Sequence, residues 1–178
     1  MSDSLWDKKA SVRRLCIDAL ALAFALILSY VEHLIPLTLL IPFPGVKLGL
    51  ANIAVMYLFF SVSKLDAAAV SLARTVMSAL LFGSAVSFLM SLGGALLSYA
   101  AMLSVSYLYK KEKISFVGVS VVSAIFHGVG QLAAASLIYT PAVFSYLPVL
   151  MAGGTVTGCV SGIVLNIIYK RIENLTNA

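Results

Sequence analysis

Long apolar stretches divided by small basic clusters constrain this chain more tightly than any motif. Lys8, Lys9, Arg13 and Arg14 form the first cluster, Lys64 stands by itself, Lys110, Lys111 and Lys113 form a third, and Lys170 with Arg171 a fourth. Inside the stretches almost nothing ionisable appears except Arg74 and His127. A helix needs about 20 mostly apolar residues to cross roughly 30 Å of hydrocarbon at about 1.5 Å per residue, and these stretches approach that length. With 61% hydrophobic residues, 11% charged residues and a mean hydropathy of +1.04, the chain has more apolar surface than a water-soluble core can hide.

The sequence therefore predicts an all-α integral membrane protein, a bundle of six transmembrane helices near 14–35, 47–63, 66–83, 85–109, 114–139 and 148–169. A segment 1–13 precedes this single membrane domain, 14–169, and a tail 170–178 follows it; six crossings in 178 residues leave no room for a separate soluble catalytic domain. Pro36, Pro42 and Pro44 remove backbone donors and predict an irregular outer loop between the first two spans. Tyr139-Thr140-Pro141 ends the fifth span in the same way. Gly83-Ser84 is the one turn signal between the third and fourth spans, so five spans is the competing count.

Six spans place ten basic residues of the four clusters on one side, against Lys47 on the other. The positive-inside rule then puts both termini in the cytoplasm and the proline-rich loop outside, in the plasma membrane. Five spans would put Lys110, Lys111 and Lys113 on the wrong side of that balance. The net charge of +5 is explained by insertion topology and anionic lipid, without nucleic acid. The basic, then apolar, N-terminus reads as a first span and not a cleaved leader, because its run is long and the pattern repeats along the chain. Cys16 and Cys159 both fall inside spans and read as core residues, not as a disulfide or metal site.

Small residues at four-residue spacing mark close helix crossings. Ala19 and Ala23 share one face of the first span, Ala21 and Ala25 another, and Gly154, Gly158 and Gly162 form a continuous groove on the last. Packing within the bundle is the plain reading of each groove, and docking of another subunit the sharper one. Arg74 lies eight residues past Asp66, roughly 12 Å along a helix, too deep to snorkel easily. It either locks helices together or offers a planar donor fork to an anionic ligand. Ser120, Ser123, His127 and Gln131 share one face of the fifth span beside Gly128 and Gly130. Asn52, Glu32, His33 and Lys47 fall at compatible depths, so these groups can line a pocket that opens outward beneath the proline-rich loop. Glu32 and Lys47 read equally well as a solvated interfacial pair.

Catalysis finds little support. The carboxylates Asp3, Asp7, Asp18, Glu32, Asp66, Glu112 and Glu173 are scattered between chain ends and span ends. The sequence holds no phosphate-binding loop, no zinc-protease motif and no aspartate-rich motif for a magnesium-bound diphosphate. No cofactor is expected.

The stretch Pro44-Gly45-Val46-Lys47-Leu48-Gly49-Leu50-Ala51-Asn52, then Arg74, Leu81-Phe82-Gly83 and His127-Gly128-Val129-Gly130-Gln131-Leu132, resembles the Gx transporter family, also labelled heptaprenyl diphosphate synthase component I. Gly128 stands where that family's pattern usually has Asn. More distantly, the six-span layout and alanine-rich first helix are similar to substrate-binding S components of energy-coupling-factor importers. That resemblance implies Ala19 and Ala23 as positions that dock on a transmembrane coupling subunit served by separate ATPases. It also implies a ligand held toward the outer face, with Lys47, Asn52, His127 and Gln131 as contacts; Arg74 joins them as a candidate from its buried charge. The expected function is a non-enzymatic subunit that captures a small anionic or isoprenoid-related ligand. The alternative is a non-catalytic membrane partner of a prenyl synthase. A self-sufficient proton-coupled carrier using His127 is disfavoured, because no membrane-embedded carboxylate is evident to pair with it.

Overall fold

The computed structural model describes residues 3–34, 47, 49–111 and 113–176, and among them it contains α-helices and one short 3-10 helix with no strand. The helices are α1 (Asp3–Leu34), α2 (Asn52–Ser61), α3 (Lys64–Phe82), α4 (Ala85–Lys110), α5 (Phe116–Ile138) and α6 (Leu147–Thr176), with the 3-10 helix Pro141–Tyr146 before α6. Serines start three of them. The side chains of Ser63, Ser84 and Ser115 accept the N–H groups of Leu65, Ser87 and Gly118, each at 3.2 Å, and so satisfy donors that a helix start leaves free. Gly83-Ser84 does break the chain between α3 and α4, and α5 ends at Ile138 ahead of Pro141.

Among the described residues, five helices are long and apolar enough to cross a membrane, which makes this a multi-pass membrane protein. The exception is α2. Its ten residues rise only about 15 Å, half the hydrocarbon thickness. The span expected over 47–63 is therefore not one helix: Lys47 and Gly49–Ala51 are non-helical and helix begins at Asn52. Continuous hydropathy across the segment hides that division. The first and last helices also extend beyond the expected spans, to Asp3 and Thr176.

The most extensive interfaces are α4 on α5 and α5 on α6, and glycine makes both possible. A Cβ on Gly130 would lie 2.2 Å from the carbonyl oxygen of Gly93, and one on Gly158 would lie 2.6 Å from Cα of Val121. Gly154 and Gly162 likewise face Ala124 and Val117 of α5, so the α6 groove is filled from within the chain. On α1 the two alanine faces separate. Ala25 is fully buried against Ala51 and Ala54, whereas Ala19 and Ala23 are exposed.

At the end of the bundle holding the C-termini of α2, α4 and α6, rings close the core. Phe116 stacks edge-on with Phe60 at 4.9 Å and Tyr109 at 4.8 Å, Tyr169 hydrogen-bonds Ser61 at 2.9 Å, and the Tyr99 hydroxyl donates to the Lys64 carbonyl at 2.7 Å. Cys16 is exposed on α1 and Cys159 half-buried, so neither is a core residue, and both are free thiols.

Candidate ligand-binding site

The site is built around the non-helical turn that leads into α2. Gly49 has φ of 89°, a left-handed conformation that a side chain would strain, and this lets the chain reverse beside the His127 ring. Two main-chain bonds complete the turn, Asn52 N–H to the Gly49 carbonyl at 3.0 Å and Ile53 N–H to the Leu50 carbonyl at 3.1 Å.

Three helices pin that turn inside the bundle. The Gln131 carboxamide of α5 accepts the Lys47 N–H at 2.9 Å and donates to the Lys47 carbonyl at 2.7 Å, as a neighbouring strand would. From α1, Glu32 Oε1 accepts the Leu50 N–H at 2.5 Å. The Lys47 ammonium donates to Ser78 Oγ of α3 at 2.9 Å. Buried main-chain groups need such partners, because the hydrocarbon interior supplies no water to replace them. Asn52 donates through Nδ2 to Ser98 at 3.1 Å, and Ser98 and Ser123 lie 2.7 Å apart. These three line a narrow crevice with Ser71 and Tyr99.

Above this network lie polar atoms with no hydrogen-bond partner among the described residues. They are Arg74 Nε and Nη2, both ring nitrogens of His127, and Glu32 Oε2, on side chains that are 2%, 1% and 2% exposed. Arg74 and Lys47 are the cationic electrostatic neighbours of both Glu32 and His127, so the four groups form one buried cluster. Gly94 of α4 gives His127 its room, since a Cβ there would lie 2.8 Å from the ring.

The residues singled out from sequence divide by what they touch. Lys47, Asn52, Arg74, His127 and Gln131 are brought together, and Ser120, Ser123, His127 and Gln131 do share one buried face. Gln131 and Asn52, however, spend their amide donors within the protein, while Arg74 and His127 do not. Glu32 and Lys47 are buried and separately engaged, so they are not a solvated pair. Glu32 is also a buried carboxylate beside His127 and Arg74 that was not evident in sequence. Its place at the end of a span hid it, because Gly49 and Leu50 fold inward against it. His33 is exposed and packs on Phe82 at 5.7 Å, outside the cluster. The expected proline-rich gate, Pro36–Pro44, lies outside the described residues.

Comparison with curated proteins and with solved structures returns no match. A family model does match, over residues 21–168, which takes in every helix of the bundle at least in part and all the residues of the pocket. By that match the chain belongs to the heptaprenyl diphosphate synthase component I family.

Proposed function

We propose that this protein is the ligand-capturing membrane subunit of a small-molecule importer and binds an anionic ligand from the outer side, without catalysing a reaction. The observation that carries this reading is the guanidinium of Arg74. A fixed cation buried at membrane depth is expensive unless a cavity or counter-ion meets it, and its Nε and Nη2 are directed at no described partner. A planar donor fork beside a neutral imidazole suits carboxylate or phosphate oxygens. The short helix α2, which starts at the pocket, fits the use of interrupted helices at membrane binding sites.

In this reading both termini are cytoplasmic, α2 and the preceding non-helical residues complete a sixth crossing, and the plasma membrane is the site of action. The exposed Ala19–Ala23 face of α1 is the docking surface for a transmembrane coupling subunit with its ATPases, as in the S-component arrangement. Affinity purification from the native host in mild detergent, with mass spectrometry of partners, tests it. Recovery of a coupling protein with ATPases, and ATP-dependent uptake in vesicles containing them, is expected. Failure of both would contradict the importer.

The family's name favours a second reading, a non-catalytic membrane partner of a prenyl diphosphate synthase acting on an isoprenoid-related ligand. Co-purification of a soluble prenyl synthase, with product length changed by this protein, would select it.

A further inference from the structure

We infer that the ligand of the Arg74–His127 pocket is a small organic monoanion bearing a neutral hydrogen-bond donor for Glu32, and not a diphosphate. This deepens the anion-binding reading above and rests on it.

Charge is the first ground, and the sequence makes the count complete. In the half of the bundle holding the C-termini of α1 and α3, the Asp, Glu, His, Lys and Arg residues are Glu32, His33, Lys47, Arg74 and His127. Residues 35–46 and Leu48, which adjoin the pocket in sequence, contain none. His33 is exposed on Phe82 and drops out. With Glu32 ionised, the form suited to its Oε1 accepting the Leu50 N–H beside two cations, and with His127 neutral, the enclosed set carries a net charge of +1. An enclosed site of low dielectric is most stable when its charges cancel. One negative charge on the ligand achieves this. A diphosphate, carrying two or three, converts the excess of one positive charge into an excess of one or two negative charges.

Hydrogen-bond inventory is the second ground. The unpartnered atoms are not all donors. Arg74 offers two nitrogens and neutral His127 one N–H, but Glu32 Oε2 and the second His127 nitrogen can only accept. A ligand made solely of acceptor oxygens leaves Glu32 Oε2 with no donor closer than the Gly49 main chain, which does not reach a full hydrogen bond. A carboxylate with a hydroxyl or amide N–H answers both ends, its anionic group toward Arg74 and its donor toward Glu32.

Thermal unfolding of the full-length protein in detergent, at constant ionic strength, tests this with defined probes. Lactate, 3-hydroxybutyrate and 4-hydroxybutyrate place the hydroxyl at increasing reach from the carboxylate; propionate and butyrate lack it, and inorganic diphosphate supplies the competing class. At least one hydroxycarboxylate should raise the melting temperature more than its unsubstituted counterpart, and diphosphate should not. Glu32→Gln keeps an acceptor for the Leu50 N–H but raises the enclosed charge to +2. It should strengthen apparent diphosphate binding by about tenfold or more and weaken the hydroxyl preference. If this variant does not fold, the wild-type ranking alone decides. Diphosphate stabilising the wild type more than every monoanion, or a ranking unchanged by Glu32→Gln, would overturn the inference and leave anion binding standing. No response to any anion would remove both.

Discussion

Gln131→Leu removes the side chain that holds the turn before α2 and keeps the volume close to the original. Two hydrogen bonds disappear, at 2.9 and 2.7 Å, and the Lys47 N–H and carbonyl are left without the partner that α5 supplied. Each buried main-chain group so stranded costs about 1–3 kcal/mol, and the added apolar contact of Leu offsets part of that. The net loss is about 2–4 kcal/mol, or about 4–16 °C in melting temperature at about 2–4 °C per kcal/mol for a chain of this size. Size-exclusion chromatography after stepwise heating in detergent measures it without a reporter group. Ser123→Ala is the internal control, because it removes one side-chain hydrogen bond, to Ser98, and strands no main-chain group. A Gln131→Leu melting temperature no lower than that of Ser123→Ala would refute the idea that Gln131 acts as a clamp on the turn.

Other substitutions probe separate parts of the account. Gly130→Ala drives a methyl into the Gly93 backbone and should destabilise by about 3 kcal/mol, whereas Gly128→Ala meets Leu150 Cβ at 3.3 Å, a tight contact a shift of a few tenths of an ångström relieves, and should cost less than about 1 kcal/mol; the same heating assay separates them. Gly94→Ala displaces the His127 ring, so anion-induced stabilisation should fall by a larger factor than basal stability does. Arg74→Gln should weaken anion binding about 100-fold by titrated thermal shift, and Arg74→Lys should recover only part of it, because a point charge cannot replace the fork. Ala19→Trp should leave the melting temperature unchanged, since the position is exposed, yet abolish co-purification of a coupling subunit.

Sequence made the class and most of the helices legible, for a simple reason. Membrane helices must satisfy their backbone internally, so hydropathy and punctuation such as Gly83-Ser84 carry most of the information. The close crossing at Gly154, Gly158 and Gly162 was visible as spacing, although only the fold shows that α5 fills it. Residues 47–63 read as a full span because their apolar run is unbroken, and hydropathy is blind to the left-handed turn at Gly49. Arg74 and His127 stood out because charge and imidazole are rare in such stretches. Glu32 did not, since its burial depends on Lys47 and Gly49–Ala51 folding inward onto α1, α3 and α5. The division of labour between Gln131, which holds the chain, and Arg74, which is left available, depends on side-chain direction that spacing cannot supply.

The central claim is that Arg74 is held ready for an anionic ligand. Native mass spectrometry of the protein released gently from host membranes tests this most directly, with wild type and Arg74→Gln compared side by side. The account predicts a small anion retained by the wild type and lost from an Arg74→Gln protein that still melts cooperatively. Identical spectra, with no small molecule on either or the same one on both, would contradict it.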